Sequence, residues 1–156
     1  MTPDLSLCPG PARFPDLARF VAAQDGVYPQ ALAELRAGVK RSHWMWFIFP
    51  QIAGLGQSAM ARTYAIADAN EAQAYLAHPV LGRRLIAATD AVIAASGSAE
   101  TILGEIDAVK LRSSMTLFAA VATKPAPFRA ALARFYDGVA DDATLRLLRY
   151  DVGRSE

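Results

Sequence analysis

Cysteine is almost absent from this chain: Cys8 is the single thiol among 156 residues. An intramolecular disulfide is therefore excluded, and so is a cysteine-built metal cluster within one chain. So little cysteine suits a reducing compartment, and a cytoplasmic location is the expectation. Cys8 stands in a Pro-rich stretch with no base near it in sequence, which makes it a poor candidate nucleophile. Histidine is scarce too. His43 and His78 lie far apart and no HExxH spacing joins them, so no metal is expected. A Ser-His-Asp set has no GxSxG elbow to support it. Surplus charge of one sign is also missing. A net charge of +1 argues against a general nucleic-acid binder, which carries a clear basic excess. It leaves room for a local anion site. Finally, no apolar run approaches the roughly 18 residues that span a bilayer, so no membrane partner is expected. The opening MTPDLSLCPGPARF has neither a basic n-region nor a long apolar stretch, so no secretory leader is expected.

What is present is a folded, helix-prone composition. Hydrophobic residues make up 53% and charged residues 20%, which is globular rather than disordered. Alanine, the best helix former, is abundant. A single domain of this length buries about two thirds of its unfolded surface without staples. Residues 1–14 read as a flexible N-terminal arm, 15–150 as one helical domain and 151–156 as a C-terminal tail.

Helical periodicity begins near Pro15-Asp16, where Leu17, Phe20 and Val21 form a stripe that Asp25-Gly26 stops. A second helix opens at Tyr28-Pro29. Ala31, Leu32 and Leu35 point one way, Gln30, Glu34 and Arg36 the other, and Gly38 ends it. Asn70 can serve as an N-cap, with Gln73 completing a capping box. Pro79 breaks that helix after His78. Val80–Ser96 carries Leu81, Leu85, Ala88, Val92 and Ala95 at helical spacing. A short turn ends at Gly104. Asp107 then caps a long helix to about Ala122, whose apolar face uses Val109, Leu111, Met115, Leu117, Phe118 and Val121. Pro125 and Pro127 suit the first turn of the next helix. Asp141 or Asp142 caps a last one. With no hairpin or βαβ pattern, the fold class is all-α, a compact single-domain bundle of six to eight helices.

Chemistry has three candidate places. In KRSHWMWFIFPQIAGLGQS, residues 40–58, the largest apolar side chains stand in a row beside Lys40, Arg41 and His43. Periodicity leaves residues 42–50 open between a short buried helix and a buried strand. Each indole N–H needs a partner when buried, and a pocket with polar groups supplies one. Trp44 and Trp46 can wall a ring; Gln51 and Ser58 can donate hydrogen bonds; Gly54 and Gly56 leave backbone N–H groups free for an anion. The same residues can equally be core, a solvated edge and a tight turn. In DAVKLRSSMT, residues 107–116, Asp107, Lys110 and Ser114 share one helix face. Such a face can hold a sugar–phosphate or polarise a leaving group, or be no more than an intrahelical ion pair. Glu71, in a first helical turn, is favoured there by the macrodipole alone.

Three blocks in order, KRSHWMWFIFPQIAGLGQS, RTYAIADANEAQAYLAHPVLGRRL and DAVKLRSSMTLF, resemble a small bacterial family called domain of unknown function 1810. Some of its members carry the label calpastatin, which is a mislabel. RFVAAQDGVYPQALAELRAG and DDATLRLL fit as well, so the resemblance spans about Leu17 to Leu148. It implies an almost wholly helical fold and no established activity. More distantly, the chain is similar to the helical, ADP-ribose-linked family with N-glycosidase activity on riboflavin-pathway intermediates. That family places a glutamate early in a helix and, later, Asp-x-x-Lys followed by Met and Phe. Here these would be Glu71, then Asp107, Lys110, Met115 and Phe118, and the resemblance implies N-glycoside chemistry.

The expectation is thus a polar, aromatic-walled pocket for a small anionic ligand of the nucleotide or ribose-phosphate kind. Lys40, Arg41, His43, Trp44, Trp46, Gln51, Gly54, Gly56, Ser58 and Ser114 would bind it, and Glu71, Asp107 and Lys110 would act in any catalysis. No cofactor is required. The alternative is a non-enzymatic module for a ligand or protein, with the aromatic run as an internal brace.

Overall fold

The computed structural model describes residues 16–155, and they form an all-α domain. Ten helices follow one another: α1 (Ala18–Gln24), α2 (Tyr28–Ala37), α3 (Met45–Ile48), α4 (Ala59–Thr63), α5 (Ala69–Ala77), α6 (Leu81–Ala94), α7 (Ala99–Leu103), α8 (Glu105–Val121), α9 (Ala126–Tyr136) and α10 (Asp142–Ser155). The count exceeds the expected six to eight because α3, α4 and α7 are single turns of four or five residues. Such turns bury too little alternating surface to write a period. The expected arm, residues 1–14, lies outside the described residues. Helix α10 continues through residues 151–155, the stretch read as a tail.

Helix α8 is the axis of the domain. It packs against α5, α7, α9 and α10, while α6 packs on α2, α5 and α9. Its buried residues include Ala108, Ser113, Ser114 and Thr116 beside Leu111, Met115, Leu117 and Phe118. Small hydroxyls let neighbours approach, and two of these return a hydrogen bond to their own helix: Ser113 to the Val109 carbonyl at 3.3 Å and Thr116 to that of Arg112 at 2.8 Å. Val109, expected inside, is 63% exposed, and the buried face runs through Ser113 instead. A ladder of rings crosses the core from α1 to α9. Phe20 meets Tyr75 edge-on at 5.1 Å, Tyr75 meets Phe118 at 5.5 Å, and Phe118 meets Phe128 at 5.8 Å. Each ring contributes about 1.5–3 kcal/mol by burial.

Local signals explain most helix ends. Gly38 takes φ +83° after α2, the left-handed cap that costs glycine nothing. Pro79 follows the α5 stop at His78, whose Nδ1 accepts from the Val80 and Leu81 amides at 3.1 and 3.2 Å and so starts α6. Two expected caps move. Helix α5 is capped by Asp68, whose carboxylate accepts from the Glu71 amide at 2.9 Å, and Asn70 lies inside it. Helix α8 starts at Glu105 after Gly104, which puts Asp107 in its first turn rather than at its cap.

Candidate functional site

The run KRSHWMWFIF is organised by one carboxylate. Glu34 lies on the buried stripe of α2, one turn after Ala31 and beside Leu35. The sequence pattern sets it outward, with Gln30 and Arg36. It is buried instead and accepts from the Arg41 amide at 2.8 Å, the Ser42 amide at 3.1 Å and the Trp44 indole N–H at 2.9 Å. The Ser42 hydroxyl and the Gln30 amide, at 3.0 Å, complete the set. Burial by itself raises the pKa of this carboxyl. The hydrogen bonds from Ser42, the Arg41 backbone, Trp44 and Gln30 outweigh it and hold the group down at about 2. Around this anion residues 40–44 bend into a tight loop, and residues 45–48 close one helical turn, α3. Helix, not strand, is the outcome for the stretch that periodicity left open.

The loop is also tied to the far end of the chain. The Lys40 amide donates to the Ile102 carbonyl of α7 at 2.8 Å, and α7 leads directly into α8. Asp107 is thereby brought to Lys40: its Oδ2 lies 3.0 Å from the Lys40 ammonium and its Oδ1 3.4 Å from that of Lys110. Each ammonium also sits over an indole, Lys40 on Trp44 and Lys110 on Trp46, both at 5.2 Å from the ring centroid. The cluster carries two cations and one anion, and its side chains keep only 11–23% of their exposure.

The two tryptophans have different roles. Trp44 is fully buried, its N–H spent on Glu34. Trp46 is half-buried and lines a cavity of about 180 Å³ with Gln51, Gly54, Gly56, Arg62 and Tyr64. Two backbone hydrogen bonds hold the walls together at the Ile52–Ile66 bridge. The Ala53 amide donates to the Ile66 carbonyl and the Ile66 amide to the Gln51 carbonyl, both at 2.8 Å. Gly56 must be glycine on grounds of space, because a Cβ there would meet the Ala61 Cβ at 2.4 Å.

Of the expected residues only Trp46, Gln51, Gly54 and Gly56 line the cavity; Lys40, Trp44, Asp107 and Lys110 do not, and the others lie apart from it too. Arg41 and His43 are exposed on the loop. The Ser58 hydroxyl accepts from the Ala61 amide at 3.1 Å and caps α4. Ser114 is completely buried, with its Oγ unpartnered. Glu71 is buried against Arg19, at 3.3 Å from each oxygen, and accepts from the Ala67 amide at 2.7 Å. Arg19 in turn donates to the Thr63 and Ala65 carbonyls at 2.8 and 2.7 Å. Glu71 therefore braces the chain segment from which Tyr64 and Ala65 line the cavity, rather than opening onto the cavity itself. Three wider depressions of 400–520 Å³ hold none of the expected residues. Sequence reasoning missed Glu34, Arg62 and Tyr64. The one signal for Glu34 is its spacing from Ala31; nothing in the pattern singles out Arg62.

The described residues form a small helical domain with a cavity walled by Trp46 and a Lys–Asp–Lys cluster that meets that indole through Lys110. The chain belongs to DUF1810, a family of proteins of unknown function, whose pattern matches residues 14–148. It is similar to the crystal structure of the conserved hypothetical protein Rv1873 from Mycobacterium tuberculosis, with 51% identity and a TM-score of 0.84 over 86% of this chain and 96% of that one. No functionally curated protein matches it.

Proposed function

We propose that the Trp46 cavity binds a compact anionic ligand carrying a planar ring, of the nucleotide or ribose-phosphate kind. The observation that carries this reading is the split between the indoles. Trp44 is consumed by the fold, while Trp46 stands half-open on a cavity and carries Lys110, one cation of the net positive Lys40–Asp107–Lys110 cluster, over its ring. Size narrows the ligand. Sites for drug-sized molecules run to about 300–1,000 Å³, so a cavity of about 180 Å³ takes one ring or one pentose phosphate and leaves the rest of a nucleotide outside. Gln51 supplies hydrogen bonds, and Tyr64 a second aromatic wall.

The test is tryptophan emission during titration with ribonucleoside 5′-monophosphates and ADP-ribose. Quenching is expected in the wild type and in Trp44→Phe, and is expected to vanish in Trp46→Phe. A flat wild-type response across the panel removes the reading.

A second reading adds N-glycosidic hydrolysis, with Asp107 steadying an oxocarbenium-like centre. Its support is position alone: Asp107 is linked to Trp46 through Lys110, and its two ammonium partners would have to yield for its charge to reach a ligand. Glu71, occupied by Arg19 and the Ala67 amide, is the weaker candidate. Free base released by the wild type and not by Asp107→Asn supports hydrolysis. Binding without release leaves a non-enzymatic ligand-binding module.

A further inference from the structure

Arg62 was not among the cations that the sequence pattern put forward, yet its position is unlike theirs. Lys40 and Lys110 share Asp107, and Arg19 is held by Glu71. Arg112 and Arg134 are tied to backbone carbonyls. Arg62 lines the cavity, and among the described residues no carboxylate pairs with it. Its side-chain hydrogen bond goes to the neutral Gln57 amide oxygen at a long 3.4 Å. It stands on α4, a helix with no buried residue, so its guanidinium can turn without disturbing the core. A planar guanidinium offers two parallel N–H donors, the geometry that grips a phosphate.

We infer that Arg62 is the clamp for the ligand's phosphate and so sets the preference of the cavity for phosphorylated over unphosphorylated ring ligands. This rests on the reading of the Trp46 cavity as a ligand site. The Lys40–Asp107–Lys110 cluster then provides a positive background, and Arg62 the directional contact. The probes are the four ribonucleoside 5′-monophosphates and their parent nucleosides, titrated by Trp46 emission and calorimetry into wild type, Arg62→Lys and Arg62→Gln. The wild type should bind the monophosphate more tightly than the nucleoside by roughly tenfold or more, the size of a charge-assisted hydrogen bond. Arg62→Gln should erase that ratio by weakening monophosphate binding far more than nucleoside binding, and Arg62→Lys should restore part of it. A ratio that survives Arg62→Gln overturns the clamp and spares the cavity reading. No response of the wild type to any probe overturns both. Arg62 is exposed, so all three proteins should melt alike.

Discussion

Glu34 shows how far a single side chain can organise its surroundings. It is a buried anion whose donors are mostly backbone amides and an indole from the following loop. Truncation leaves those donors without an acceptor, and each buried unpaired group costs about 1–3 kcal/mol. Glu34→Ala should therefore lower stability by about 3 kcal/mol or more. For a chain of this size that is a fall of roughly 6–12 °C in Tm by differential scanning calorimetry. The Trp44 emission should shift to the red as its N–H loses its partner. An unchanged melting curve would refute the role. The sequence did carry a trace of this site: each indole N–H was expected to need a partner. For Trp44 that partner is Glu34, which the pattern does not single out because a glutamate on a helix normally reads as a solvated face whatever its spacing from Ala31. Trp46, by contrast, does border a cavity with Gln51, Gly54 and Gly56. That grouping was readable because those residues are close in sequence.

At the scale of the helix, boundaries marked by Gly or Pro were legible, since a left-handed cap or a missing N–H leaves few alternatives. Boundaries marked by polar side chains were legible only in part: Asp141 does cap α10, accepting from the Thr144 amide at 3.0 Å, but the cap of α5 falls elsewhere than at Asn70. In ADANEAQ both Asp68 and Asn70 can cap, and the choice falls to Asp68 because α5 then places Glu71 inward on Arg19. Helices pack closely where α5 turns into α6. A Cβ at Gly82 would stand 2.1 Å from the Leu76 carbonyl oxygen, a backbone atom that cannot swing away. Gly82→Ala should thus force the two helices apart at a cost of about 1–3 kcal/mol, as overpacking does. Ordinary helix propensity predicts the opposite sign, a gain of about 1 kcal/mol over glycine. Urea denaturation distinguishes the two, and a more stable variant would show that the junction yields.

Across the whole molecule, the Lys–Asp–Lys cluster joins segments more than sixty positions apart, which no local pattern can announce. The grouping of Lys40 with Asp107 depends on the Lys40 amide reaching Ile102, a contact between a loop and a one-turn helix. Acid should expose the global weight of the Glu34 centre. Its folded-state pKa of about 2 lies below the ordinary 4.5. Its contribution is therefore complete above about pH 4.5 and drains away as pH falls from there towards 2. Circular dichroism melts at pH 6, 4 and 3 should show Tm dropping across that window. Glu34→Gln should have a lower Tm at pH 6 and a flatter acid limb; an equally steep limb would assign the loss to other carboxylates.

The Ile52–Ile66 bridge has a consequence of its own. Two amide protons latch the cavity walls, and among the described residues no strand extends the pairing. Opening that latch breaks two hydrogen bonds and unseats two buried isoleucines, but it need not unwind a helix. Deuterium uptake at Ala53 and Ile66 would then track how often the door stands ajar, well before any helix gives up its own protons.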